Sequence, residues 1–262
     1  GEIFMEEKKE QSKLKKRLLI ILIVLLFLIS AAGVVYLVWV FYNNYMAEHT
    51  YNSVADSYVV EQKEEPHYAE NPVDFASLKA INEDVYAWIN VPNTKIDYPI
   101  VQNEEDDYYL RRSIYKKYLF AGSIFTNKVN SKDFSDPVTL VYGHNMRNDT
   151  MFCMLHEFED KEFFDNNEYF YIYTPNRKLT YRIVSALKYD NRRITTAFDF
   201  SDESQIKDYQ YSIMNPKFNL FNSRDIVLKP EDKIVTLSTC VANKPSYRYL
   251  VNGVLIKDEP TQ

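Results

Sequence analysis

A chain of 262 residues, 46% hydrophobic and 26% charged, is long enough for one sizeable core and short for two. The formal net charge is −6 and the basic residues past the first 17 positions form no dominant cluster, which excludes the electrostatic footprint of a nucleic-acid binder. Only 5 Gly are present, and neither GxGxxG nor GxxxxGK[ST] occurs, so a phosphate-cradling nucleotide site is excluded too; 22 Tyr and 16 Phe suit strands and an aromatic, β-rich core.

The first element is a membrane segment. Leu18–Tyr42 carries no charge and no Pro. As a helix it is roughly 37 Å long, enough to cross a ~30 Å hydrocarbon layer with some tilt. Trp39, Tyr42 and Tyr45 sit where an interfacial aromatic belt belongs, and Lys13, Lys15, Lys16 and Arg17 precede the run. The positive-inside rule then keeps residues 1–17 in the cytoplasm and sends everything after Tyr42 outside. A cleaved signal peptide has an apolar core of roughly 7–15 residues. Here the run continues well past the small residues Ser30, Ala31 and Ala32, so the expectation is an uncleaved single-pass anchor over 18–42.

Residues 43–74 are polar and charged and read as a stalk or linker. A folded extracellular domain is expected over 75–262. It opens with a short helix capped by Asp74, followed by strand signals at 85–91 and 96–102 around a Pro-Asn turn. Further strands are predicted at 123–126, 138–143, 169–173, 179–189, 234–239 and 248–256, with Thr174-Pro175-Asn176-Arg177 as a hairpin-like break. Helices are predicted at 150–159, from the spacing of Met151, Met154, Leu155 and Phe158, and at 203–214, opened by Ser201 and Asp202. About eight strands with a few inserted helices imply a single mixed barrel or sandwich.

Two apolar strands end in reactive side chains: Thr236-Leu237-Ser238-Thr239-Cys240 and Leu140-Val141-Tyr142-Gly143-His144-Asn145. Arg248 follows eight residues after the Cys. These are the groups acyl chemistry needs. A thiolate attacks a carbonyl, an imidazolium balances it and protonates the leaving amine, and an Arg with backbone N–H groups stabilises the oxyanion. The N–H of Val241 is a candidate donor. Ser238, Thr239, Val241 and Asn145 adjoin the reactive positions and are the candidate substrate-binding residues. Spacing alone does not bring His144 to Cys240, and the plain reading of either residue is an ordinary structural one.

TLSTC at 236–240, YGHNM at 142–146 and an Arg eight residues past the Cys resemble the sortase family. The likeness covers roughly residues 75–257. Ser238 within TLSTC, the WINVPNTKIDYPIVQ stretch at 88–102 and the helix-bearing excursion at 190–232 resemble class B. The resemblance implies an eight-stranded β-barrel behind an N-terminal transmembrane helix. It implies Cys240 as nucleophile, His144 as general acid, Arg248 as carbonyl or oxyanion ligand, and Ser238 lining the cleft. The implied partners are secreted proteins bearing a C-terminal sorting motif, cleaved after Thr, and a cell-wall peptidoglycan amine, with no cofactor and no metal. Two other functions compete on the residues alone. An anchored thiol protease would use the same three groups but release a hydrolysed product; a non-catalytic anchored binding module would keep Cys240 inert.

Elsewhere, Cys153 reads as core, and His156 shares its predicted helix without ligand spacing. His49 and His67 read as solvated, as does the acidic run Glu104–Asp107.

Overall fold

The computed structural model describes residues 2–58, 68–216 and 221–261. The chain forms two compact units, Gly1–Tyr45 and Met46–Gln262. Helix α1, Glu2–Tyr58, begins in the first. Within it Ile21–Val54 is long and apolar enough to cross a membrane. The large apolar side chains from Ile21 to Tyr42 are exposed rather than packed on protein, a surface suited to lipid.

The second unit begins inside the stretch expected to be a stalk. Ala47, Tyr51 and Val54, at i, i+4 and i+7 on the end of α1, are buried in the main core. The Tyr51 hydroxyl lies 2.7 Å from the Gly122 carbonyl and 2.8 Å from Ser123 Oγ. Residues 46–58 therefore belong to the folded domain, because their apolar stripe has a core to join. His49 is exposed on that helix, and His67 lies outside the described residues.

After α2 (Phe75–Ile81), whose first turn is capped by Asp74 Oδ1 accepting from the Ser77 N–H at 3.0 Å, the chain builds its sheet. The strands are β1 (Val85–Asn90), β2 (Asp97–Val101), β3 (Ile124–Phe125), β4 (Val138–Tyr142), β5 (Tyr169–Thr174), β6 (Arg177–Asp190), β7 (Phe221–Ser223), β8 (Ile234–Cys240) and β9 (Tyr247–Pro260). Their order is β5-β1-β2-β3-β4-β8-β9-β6-β7, and β5 also pairs with β6. That last pairing closes an eight-stranded barrel, and β7 is appended to β6 outside it. The barrel reading is correct, and each predicted strand is present. The helix predicted over 203–214 is α5, Glu203–Met214, with Asp202 as its cap. Helices α3 (Lys161–Asn166) and α4 (Ile194–Ala197), strand β7 and a 3-10 turn at Tyr108–Arg111 were not anticipated.

The helix predicted over 150–159 is instead a 3-10 helix, Cys153–Glu159. Asp149 and Met151 just before it take left-handed backbone angles, with φ of 61° and 58°, so the α-helical path does not start at Thr150.

Strand alternation sorts the core into two clusters. On β8, Val235 and Leu237 face the barrel interior. Ile234 faces a second cluster with Val138 and Leu140 of β4, Leu250 of β9, and Tyr209 and Ile213 of α5. Stepping two residues at a time along that outer face leads from Leu140 through Tyr142 to His144, from Thr236 through Ser238 to Cys240, and from Leu250 back to Arg248. Helices α4 and α5 cover only part of this face, and its uncovered end carries the three reactive side chains.

Candidate active site

Strands β4 and β8 run parallel, with Tyr142 opposite Ser238. The ladder continues one step further, the Gly143 N–H donating to the Ser238 carbonyl at 3.1 Å. Strand β9 runs antiparallel to β8 and puts Arg248 opposite Cys240. One groove of about 270 Å³ is lined by His144, Ser238, Thr239, Cys240 and Arg248. Residues 96 positions apart in the chain are thus brought together by two strand ladders. Gly143 makes the turn into His144 feasible: a Cβ there would fall 2.6 Å from Ile124 Cδ1 and 2.6 Å from the Phe152 ring.

Cys240 is exposed at its strand end and unbridged. The His144 ring stacks on Phe120, centroids 6.1 Å apart, and its Nε2 lies 2.8 Å from the Leu110 carbonyl. A carbonyl only accepts, so Nε2 carries the proton and Nδ1 holds the lone pair. Burial, and then the nearby Arg111 cation, hold the imidazole below the ordinary histidine value, against the opposing pull of the Leu110 bond. Arg248 is half-buried, and its Nη1 donates to the carbonyls of Pro245 at 3.2 Å and Tyr247 at 3.0 Å, which pins the guanidinium beside the thiol-bearing strand.

The other candidates divide. Ser238 and Thr239 line the groove, and Thr239 Oγ1 is buried without a hydrogen-bond partner. Val241 does not line the groove; its side chain packs against the core. Asn145 does not line the groove; its amide nitrogen lies 2.9 Å from the Cys240 carbonyl and 3.1 Å from His156 Nε2.

A scan against family models matches the Sortase domain over residues 89–256. The chain belongs to the sortase family. It is 28% identical to the sortase B of Listeria monocytogenes over 70% of this chain and 74% of that one. Among solved structures it resembles Clostridium perfringens sortase B, 33% identical with a TM-score of 0.64, over 70% of this chain and all of that one. It also resembles a Streptococcus pyogenes class B sortase involved in pilus biogenesis, 32% identical with a TM-score of 0.60, over 71% of this chain and all of that one. These relatives are class B sortases, and the activity that goes with the likeness is cysteine transpeptidation.

In this sortase the groove is also lined by Asn191, Arg192, Arg193 and Ile194, from the excursion after β6, and by Asp107 and Leu110. Arg193 Nη2 pairs with Asp107 Oδ2 at 2.8 Å, so one member of the acidic run is a groove residue and not simply a solvated one. Cys153 is half-buried, less enclosed than a core thiol. His156, 12 residues past His144, reaches the backbone of Cys240. A carboxylate three residues on, at Glu159, was the only hint in the sequence. Among the described residues no group of three or more His, Cys, Asp or Glu is arranged to hold a metal ion.

Proposed function

We propose that this sortase cleaves a C-terminal sorting motif after Thr through Cys240 and passes the acyl group to a peptidoglycan amine. The observation that carries the reading is the single groove lined by Cys240, His144 and Arg248.

Cys240 gives its thiol proton to His144 Nδ1, and the thiolate so formed attacks the Thr carbonyl carbon. The oxyanion is met by the Arg248 guanidinium and the Val241 N–H. As the C–N bond breaks, the leaving amine takes a proton from His144, and a thioester remains. Nδ1 is the atom that moves this proton, because Nε2–H stays on the Leu110 carbonyl in both protonation states. The acceptor amine then attacks the thioester carbon, gives its proton back to Nδ1 and expels the Cys240 thiolate. The wall formed by residues 191–194 and the Ser238 side chain would contact the motif. By the charge asymmetry around the apolar helix, residues 1–17 are cytoplasmic, residues 18–42 form the anchor, and the catalytic domain is extracellular.

The test is a panel of fluorogenic pentapeptides of the Asn-Pro and Ser/Pro-Pro types, with and without an added amine, beside Cys240→Ala. Acceptors should include a lysine side chain as well as a peptidoglycan-type amine, since the S. pyogenes relative is involved in pilus biogenesis. Cleavage after Thr that needs Cys240, with an amine adduct, is expected. Hydrolysis alone in the presence of amine would favour a thiol protease, and no cleavage with an unreactive Cys240 would favour a binding module.

A further inference from the structure

His156 lies against the Cys240 backbone, and the chemistry above does not use it. It stacks on the buried Tyr249 ring, centroids 4.7 Å apart and 27° from parallel. Its Nδ1 lies 2.5 Å from Glu159 Oε1. Its Nε2 lies 3.1 Å from both Asn145 Nδ2 and the Cys240 carbonyl oxygen. One proton arrangement links these groups in series. Nδ1–H is donated to Glu159, leaving Nε2 as an acceptor, and the two Asn145 amide hydrogens go one to Nε2 and one to the Cys240 carbonyl.

That carbonyl is where the strand ladder runs out. The Ser238 carbonyl accepts from Gly143 on the β4 side of β8. Two residues on, the Cys240 carbonyl points the same way, but β4 has ended at Tyr142. Asn145 stands in for the missing backbone donor. The peptide joining Cys240 to Val241 is trans and planar, so fixing its carbonyl toward β4 aims the Val241 N–H toward β9, where Arg248 pairs with Cys240. A donor on the carbonyl also polarises the peptide and strengthens the N–H at its other end.

We infer that Glu159, His156 and Asn145 form a positioning relay that holds the Cys240–Val241 peptide with its N–H turned to the oxyanion. His156 is a positioning residue; it acts through Asn145 and touches no reacting atom. This rests on the reading of Cys240 as nucleophile.

Two thiol reactions separate the relay from general effects. Acylation by p-nitrophenyl acetate develops an oxyanion, whereas alkylation by iodoacetamide, a displacement at a saturated carbon, develops none. Both rates should be measured on the full chain in detergent carrying C153S, so that Cys240 is its sole thiol. His156→Phe keeps a ring on Tyr249 but removes the acceptor for Asn145. His156→Gln places an amide oxygen near the position of Nε2. The expected result is acylation slowed roughly tenfold to a hundredfold in H156F, alkylation within about twofold of the parent, and substantial recovery in H156Q. Unchanged acylation in H156F, or acylation and alkylation falling together, would overturn the relay. Acylation that persists when Cys240→Ala is added would instead overturn the nucleophile assignment on which the relay rests.

Discussion

The Gly143 N–H and the Ser238 carbonyl, 3.1 Å apart, form the last rung between the strand that leads into His144 and the strand that ends at Cys240. Whatever moves Gly143 moves the imidazole relative to the thiol. An added methyl would meet Ile124 and the Phe152 ring at 2.6 Å, closer than side-chain carbons approach in folded proteins. Gly143→Ala should therefore cost about 1–3 kcal/mol and lower Tm by a few degrees, measured by thermal unfolding of the purified chain. Cleavage should fall by more than the loss of folded protein explains.

His144 should titrate below the ordinary histidine value of ~6.5, because burial and then the Arg111 cation disfavour its charged form. Arg111→Gln removes one of these causes, so the midpoint should rise, followed by NMR of the ring carbons. The linkage has a definite sign. Below the ordinary value the unfolded chain binds the proton more readily than the folded one. The stability contributed by a neutral His144 is thus present above that value and is lost as pH falls through the lowered one. Arg111→Gln should soften the acid side of the stability profile.

Cys240 and Cys153 should label in a fixed order. Cys240 is exposed, whereas Cys153 is half-buried, and burial followed by the Asp149 carboxylate pushes its thiol up. A limiting amount of iodoacetamide at pH 8 should modify Cys240 first in the native protein, read by peptide mapping. Equal labelling of the two only after unfolding would mark Cys240 as inert and favour the binding-module reading.

Arg248 lines the groove and donates through one nitrogen, Nη1, to two backbone carbonyls. A lysine keeps the charge but not the fork. Arg248→Ala should lower kcat by about 10²–10³, and Arg248→Lys should recover only part of it, with little change in iodoacetamide reactivity. Steady-state cleavage of the best peptide in the panel checks both.

Much of the barrel was legible because its strands are buried on both faces and read as unbroken apolar runs, as Val138–Tyr142 and Ile234–Thr239 do. The caps at Asp74 and Asp202 were legible for a local reason, a side-chain oxygen meeting a free N–H within the first turn. What escaped depends on distant partners. Strand β7 is three residues held by its pairing to β6. The 3-10 helix at 153–159 follows left-handed backbone at Asp149 and Met151, non-glycine positions that give no warning. The stripe Ala47, Tyr51 and Val54 sits in a polar stretch and gains meaning only with Gly122 and Ser123 beside it. At the site, the motifs singled out Cys240, His144 and Arg248, which line one groove. Asn145 was read as a substrate contact because it follows His144, but its amide is spent on Cys240 and His156, a partnership across 95 and 11 residues.

The most direct test of the account is intact-mass spectrometry of the full chain after brief mixing with the peptide cleaved fastest in the panel. The expected result is a transient acyl adduct on Cys240 equal in mass to the peptide fragment ending in Thr less one water. It should discharge on adding an amine, with the same fragment appearing on that amine, and be absent in Cys240→Ala. Peptide turnover with no adduct at Cys240 under conditions that trap thioesters, or turnover undiminished in Cys240→Ala, would contradict it.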